Sequence, residues 1–493
     1  MISSQKNHTA LIILVGISAL LLSSLALLFD PKKSLMIVAG LFVVFFIFRD
    51  PRIGLALTIV AILNFATKGK FTIGAEGLFL SVAKVLGFLT AVAWLLHHLI
   101  QKKKIIFTRS MWFGLGFVAI SLLSVLVAPD KKWALIDVSK LFIDYTLFFL
   151  LINLISTIKQ LKGFVLLLVL TAFIASTAAI VQVKFPIFQM SGADSVIKFG
   201  HEEGGIKDPQ ELKSGSFVRP TGTLGHPNWL SLFLVTLLPL TLYGISSPDF
   251  KKFKYFCLLV LVCQLVALIL THDRMAFLGI VFVFGLALWF RLILVTPLLI
   301  VSICLALFIA PFYVPATYLE RVFSIDNYKK SSSISSRWGL LKAGLGMFID
   351  HPLTGVGAGN FGTVLLNEYP DSEAARTVYH LREFSNSTIS DHSQAAHNMY
   401  VEVASETGIF GLIVYMVFIF GAARNMYLLH YHRGGLQELK KLPITFMISI
   451  LAFAFIGLFL HAQLQKVWWI VIGLSIAYSQ IILNQNKLAA EKE

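Results

Sequence analysis

Charge is the first thing scarce in this chain of 493 residues: Asp, Glu, Lys and Arg together make up 14% of it, against about 25% in an ordinary soluble domain. With 57% apolar residues and a mean hydropathy of +0.80, that scarcity excludes a soluble globular protein and a disordered one. Cysteine is almost missing. Cys257, Cys263 and Cys304 all lie in apolar segments, with no metal-ligand spacing and no disulfide framework. Acidic residues are fewer than basic ones, 26 against 41, for a formal net charge of +15. In a soluble domain that excess would raise nucleic acid as a partner. Here Lys and Arg fit the cytoplasmic loops of a membrane protein, and no nucleic-acid partner is expected. No small-residue cleavage site follows the apolar run Leu11 to Leu28, so the run reads as a retained first span. There is no repeat of fixed period and no low-complexity segment.

What the chain has is apolar runs of about 20 residues, the length of a membrane-crossing helix, and not the roughly 10-residue alternating strands of an outer-membrane barrel. The runs fall at 9–28, 34–48, 53–66, 78–99, 110–128, 134–155, 163–184, 227–245, 253–270, 275–290, 292–311, 402–424, 442–460 and 464–484. Those at 34–48, 53–66 and 275–290 are short, and two of them can form one re-entrant pair. The expectation is an all-α polytopic membrane protein of 12–14 transmembrane helices, carried by the lipid bilayer. With the N-terminus inside, basic residues concentrate in cytoplasmic loops (Lys102 to Lys104 with Arg109, Lys159 and Lys162, Lys251 to Lys254, Arg433 to Lys441). The organisation that follows is N-terminal spans over 1–184, a first outer loop over 185–226, central spans over 227–311, a large helical outer loop over 312–401, and C-terminal spans with a cytoplasmic tail over 402–493. Residues 337–349 read as a short helix lying on the outer leaflet. Trp338, Leu341, Leu345 and Phe348 share one face, Ser335 or Ser336 is a cap, and His351-Pro352 is the stop.

Polar residues gather at the outer ends of spans, where a membrane protein does not keep them without use. Arg219-Pro-Thr-Gly-Thr-Leu-Gly-His226-Pro-Asn228 leads into the span at 227–245, either as a turn entering the bilayer or as a ligand site. Thr271-His272-Asp273-Arg274 links two spans, and Asp273 can neutralise Arg274 locally. Arg337 starts the loop helix, which is followed by Asp350-His351-Pro-Leu-Thr-Gly-Val-Gly-Ala-Gly-Asn360-Phe361. No strand precedes those glycines, so they read as turn residues and not a dinucleotide fingerprint. His397-Asn398-Met-Tyr400-Val-Glu402 enters the span at 402–424. Asn398, Glu402 and Ser405 share one face, which must point into the bundle or a wet cavity. Asp137, Lys140 and Asp144 share a face inside the span at 134–155, where Lys140 can pair with either acid.

The order of these motifs resembles the O-antigen ligase and polymerase superfamily. The resemblance rests on Arg219 to Asn228, Asp273-Arg274, His351 to Phe361, and above all Ala396-His397-Asn398 with Glu406-Thr-Gly-Ile-Phe-Gly411; it covers roughly residues 215–425. It implies a membrane glycosyltransferase that takes a glycan from a polyprenyl (undecaprenyl) diphosphate carrier at the outer face. The glycan passes to a sugar hydroxyl, on lipid A–core or on another carrier-linked glycan, with inversion and without metal. The implied setting is lipopolysaccharide O-antigen or exopolysaccharide synthesis in the bacterial inner membrane, with the site facing the periplasm. The family's arginines hold the diphosphate and its loop histidine serves the acceptor. Ligases often carry a further histidine two residues before the loop histidine. This chain has Ala395 there, which tilts the resemblance toward a polymerase or exopolysaccharide enzyme.

The chemistry of the residues agrees. A departing diphosphate needs its charge stabilised, by Mg²⁺ on carboxylates or by fixed Arg forks. The outer loops hold no Asp-x-Asp; Glu202-Glu203 is their only adjacent acidic pair. Arg219 and Arg274 are therefore the expected donor-side catalytic groups, and no cofactor is expected. His397 is the expected group for the incoming hydroxyl, and Glu402 can orient it or replace it. Arg337, Asn228, His226, Asn398, Glu402 and Tyr400 are the expected substrate-binding residues. The competing class is a transporter or lipid-linked glycan flippase, which places its charges near the midplane and often shows inverted repeats.

Overall fold

The structure, a computed structural model, describes residues 31–64, 81–102, 104–185, 219–293, 301, 305, 308, 332–372, 374–376, 394–431 and 441–490. The expected span at 9–28 and nearly all of that at 292–311 lie outside them, as do most of the first outer loop and the Glu202-Glu203 pair. Every regular element among the described residues is helical. The helices are α1 (Pro31–Arg49), α2 (Pro51–Asn64), α3 (Val82–Gln101), α4 (Arg109–Ser124), α5 (Lys131–Leu154), α6 (Ile158–Lys184), α7 (Pro227–Ser246), α8 (Lys254–Leu270, after a 3₁₀ turn Pro248–Phe253), α9 (Arg274–Trp289), α10 (Ser332–Asp350), α11 (Phe361–Asn367), α12 (Met399–Tyr431), α13 (Lys441–Ile456) and α14 (Lys466–Ala490). Among the described residues, six helical stretches are long and apolar enough to cross a membrane, and five shorter apolar ones accompany them. The protein is thus an all-helical, multi-pass membrane protein. The runs at 34–48 and 53–66 are separate helices joined at Asp50.

Two compact units divide the chain, residues 1–58 with 83–104, and residues 59–82 with 105–493. In the first, Gly54 lets a neighbouring helix approach so closely that a Cβ there would overlap the Thr90 hydroxyl. Small residues at helix contacts do this in membranes, where apolar lipid gives no hydrophobic drive for helices to associate. In the second, α7 and α13 are buried almost along their whole length. α13 packs against α7, α9, α12 and α14. Its Phe453 stacks on Trp468 of α14 at 5.6 Å, within a cluster that also holds Phe418 and Trp469.

The long helix α12 is broken at Gly408, which has φ 68° and ψ −169°. A break leaves carbonyls without helical partners, and inside a membrane protein each must find another. The segment 352–357 supplies them. Val356 N–H donates to Ser405 O (2.8 Å), Gly357 N–H to Glu406 O (3.0 Å), and Ile409 N–H to Pro352 O (2.8 Å). A Cβ on Gly355 would overlap the backbone of Glu406 and Thr407, and one on Gly408 the backbone of Leu353. The glycines of the two motifs therefore permit a backbone-to-backbone seam. Asn360 extends it to the start of α5, accepting from Asp130 N–H at 2.9 Å and donating to Asp130 O at 3.2 Å.

The loop helix forms as expected but begins at Ser332, so the expected cap at Ser335 or Ser336 falls within it. It stops at Asp350, before His351-Pro352. Leu340, Ala343 and Met347 are buried against Val356, Phe361 and Leu365. Trp338 (57% exposed), Leu345 and Ile349 (72%) look outward.

Candidate active site

Arg219 is held from two sides. Its Nε donates to Thr271 O at 2.7 Å and its Nη2 to Asn228 Oδ1 at 3.1 Å. Two side chains, buried Gln182 and half-buried His226, fix the turn around it. Gln182, at the end of α6, accepts from Thr221 N–H and Gly222 N–H at 3.0 and 2.9 Å, and donates to Gly222 O at 2.8 Å. His226 caps α7, its Nδ1 accepting from Asn228 N–H at 3.1 Å. Pro227 occupies the first helical position, where its missing N–H costs nothing.

The link Thr271–Asp273 joins α8 to α9. Asp273 is buried and caps α9 by accepting from Met275 N–H at 3.1 Å. Burial pushes its carboxyl above the usual range, against the pull of Arg219, the Met275 N–H and Arg337. The acid thus sits within the fields of Arg219 and Arg337, which come from different parts of the chain. Arg274 is the first residue of α9, next to Asp273.

His397 lies in the link entering α12. It takes φ 50°, as His272 does, a left-handed conformation that costs a non-glycine residue on the order of 1–3 kcal/mol. The neighbours of His397 hold it there. Asn398 caps α12 through Tyr400 N–H and Val401 N–H, both at 3.0 Å, and its amide donates to Leu458 O at 3.0 Å. Met399 N–H reaches Gly457 O at 2.8 Å, and Tyr400 Oη donates to Ala454 O at 2.7 Å. Asn398 and Tyr400 therefore sew the His397 link to the end of α13. Glu402, buried with Ser405 inside the bundle, accepts from Ala396 N–H at 3.0 Å and from Gln463 Nε2 at 2.7 Å. Glu402 thus bonds the backbone beside His397.

The same clamp brings in His461, from the link between α13 and α14. Its ring stands 5.5 Å from that of His397, at 79°. Trp229 of α7 lies 6.4 Å from His461 and 5.7 Å from His226. Burial, then His461, Arg337 and His226, hold the His397 imidazole well below the usual histidine range. Burial and Arg337 lower His461 to about 4. Both rings are neutral at pH 7.

Arg219, Asn228, His226, Arg337 and His397 thus come together at one end of the bundle, although 178 positions separate Arg219 from His397 in the sequence. Sequence reasoning missed His461, Gln463, Trp229 and Gln182. The signal for the first two was present: His461-Ala-Gln463 is a short polar link between two apolar runs, like Thr271–Arg274. The group at Asp137 resolves as one local pair, Lys140 to Asp137 at 2.5 Å, while buried Asp144 faces Lys466 of α14 at 3.9 Å. Among the described residues no set of three or more His, Cys, Asp or Glu is placed to hold a metal.

Fold and site define a multi-pass helical membrane protein with cationic and imidazole side chains gathered at one end of its bundle. Over residues 259–416 the chain matches the family described as O-antigen ligase. That match supports the resemblance to the O-antigen ligase and polymerase superfamily. It takes in Asp273, Arg274, Arg337, the seam at 352–357 and His397, and leaves Arg219 and His461 outside. No curated protein matches the chain.

Proposed function

We propose that this chain is a membrane glycosyltransferase of the O-antigen ligase or polymerase type. It moves a glycan from a polyprenyl diphosphate carrier to a sugar hydroxyl, on lipid A–core or on a second carrier-linked glycan. The work is done at the outer face of the bacterial inner membrane, in making a surface polysaccharide. The observation that carries this reading is the meeting of Arg219 and Arg337 with a neutral His397 at one end of the bundle.

The chemistry follows from the parts. The acceptor oxygen attacks the anomeric carbon from the face opposite the carrier, and the bond from that carbon to the diphosphate oxygen breaks. The electron pair leaves with the diphosphate, so charge grows where guanidinium groups stand; Arg219, fixed by Thr271 and Asn228, needs no reorganisation to meet it. Arg274 and Arg337 stand with it on the donor side. The hydroxyl proton passes to His397, which can take it because its imidazole is neutral. His226, Asn228, Asn398, Tyr400 and Glu402 hold these groups in place.

The test uses purified protein with two glycolipids extracted from a strain deleted for this chain, the carrier-linked glycan and the acceptor. Wild type is expected to join them, with inversion and in excess EDTA. No transfer under any condition would overturn the reading. A strict Mg²⁺ or Mn²⁺ requirement would move the leaving-group role to acidic residues, Glu202 and Glu203 first.

A further inference from the structure

His397 and His461 come from two separate links, yet their rings meet edge to face, 5.5 Å apart. The Nδ1 of each is buried and has no hydrogen-bond partner among the described residues. Buried polar atoms are nearly always paired, so two orphans on touching rings ask for a common explanation. Packing does not supply it. Edge-to-face rings attract each other without any nitrogen, and phenylalanine would serve as well. Nor is the arrangement slack, because Glu402 grips the backbone beside His397 with one oxygen and Gln463 beside His461 with the other. A buried carboxylate thus holds two links in register, each ending in an unpaired imidazole nitrogen.

We propose that His397 and His461 form a two-histidine seat for a pair of hydroxyls on the acceptor sugar, with the Trp229 indole as its wall. The inference rests on the glycosyl-transfer reading above and names its acceptor subsite. One hydroxyl, at His397, is the nucleophile; its neighbour on the ring is held by His461. A neutral imidazole both accepts and donates a hydrogen bond, and neutrality is what burial and Arg337 impose on His461. Trp229 offers an aromatic face to the C–H side of a pyranose. The same indole is one residue from Asn228, which holds Arg219. A continuous run of contacts, Arg219 to Asn228, then Trp229, His461 and His397, therefore joins the diphosphate side to the acceptor side. His461 is in this view an acceptor-binding residue in its own right.

The test compares wild type, His461→Phe and His461→Gln, purified, with the carrier-linked glycan and acceptor glycolipid extracted from the deletion strain. Phe keeps the ring against His397 and Trp229 and removes both nitrogens; Gln restores a donor and an acceptor. The expected result is a KM for the acceptor raised roughly tenfold in His461→Phe, the size of one lost neutral hydrogen bond. The donor KM should stay within about twofold, and Gln should recover part of the loss. Carbethoxylation of wild-type histidines, read by mass spectrometry, keeps the proposal open to refutation even if a variant fails to fold. The acceptor glycolipid alone should protect both His397 and His461. An unchanged acceptor KM in His461→Phe, a rise in donor KM instead, or no protection of His461 would each overturn the inference. If wild type transfers normally in that case, the inference fails alone. If wild type transfers nothing, the functional reading falls and takes the inference with it.

Discussion

At the end of the bundle away from the candidate site, polar groups close on one another. Lys162 Nζ meets Asp249 Oδ1 at 2.7 Å, and Tyr243 Oη donates to the same carboxyl. Asn153 exchanges two hydrogen bonds with the backbone of Ile106, and Lys441 Nζ donates to Leu292 O at 3.1 Å. The site end uses its polar residues differently. Gln182, Asn228, Asn398 and Glu402 are committed to holding turns, and what they hold is a set of cations and imidazoles. Two of those imidazole nitrogens have no hydrogen-bond partner among the described residues, and His397 has a strained backbone. One end is tied by ion pairs and hydrogen bonds to the backbone; the other gathers cations and imidazoles on turns that buried polar groups hold in place. On the function proposed above, holding a ligand accounts for that difference.

The comparison breaks most sharply with arginine. Arg274→Ala should reduce transfer by roughly 10²- to 10³-fold, the scale of one lost transition-state donor, with normal abundance in the membrane. Arg274→Lys should also be poor, because the fork is lost. At the other end, Lys162→Met should leave turnover unchanged and lower only the melting temperature, through a lost charge-assisted hydrogen bond worth about 1.5–3 kcal/mol. Near-normal polysaccharide from Arg274→Ala, or lost turnover in Lys162→Met, would erase the distinction between the ends.

Next comes the seam. Gly408→Ala places a Cβ against the Leu353 backbone at a φ only glycine takes freely. It should cost at least the 1–3 kcal/mol of backbone strain, seen as lower yield and melting temperature. A variant as stable as wild type would mean the break in α12 is not held as described.

A smaller effect is expected from pH. Since burial holds the folded His397 and His461 below the usual 6.5, the unfolded chain binds more protons as pH falls. Stability is therefore complete above about 6.5 and is lost on acidification, for His461 as pH drops toward about 4. Activity should hold at pH values where an ordinary histidine would already be protonated. Arg337→Gln removes one cause of the lowering, so its acid limb should shift to higher pH. An acid limb unmoved by that change would separate Arg337 from the histidines.

Much of this was legible in the sequence, for physical reasons that differ by element. The spans showed because lipid requires continuous apolar runs. Arg219, Asp273 and His397 stood out because polar groups beside such runs are conspicuous. The loop helix over 337–349 showed its period, and Pro352 its end. The break in α12 did not, because Gly408 sits in an apolar run that reads as one helix; only the pairing with 352–357 reveals it. For His461 and Gln463 the polar link is visible in the sequence and its partner is not. Each is an ordinary residue in a short link until Glu402, some 60 positions away, draws their link against His397. The sequence leaves Lys140 able to pair with either acid; it pairs with Asp137, and Asp144 faces Lys466 on another helix. Local pattern carries helices and their ends; it does not carry which ends meet.

In the proposed mechanism the arginines serve the carrier and His397 serves the acceptor. Carrier-lipid affinity and turnover, measured on the same purified proteins, test it most directly. His397→Ala should bind the carrier-linked glycan close to wild type and lose turnover by about 10²- to 10⁴-fold, the usual range for a missing general base, while Arg219→Ala should bind it poorly. A His397→Ala protein that binds the carrier weakly, yet transfers at a normal maximal rate once saturated, would contradict the account.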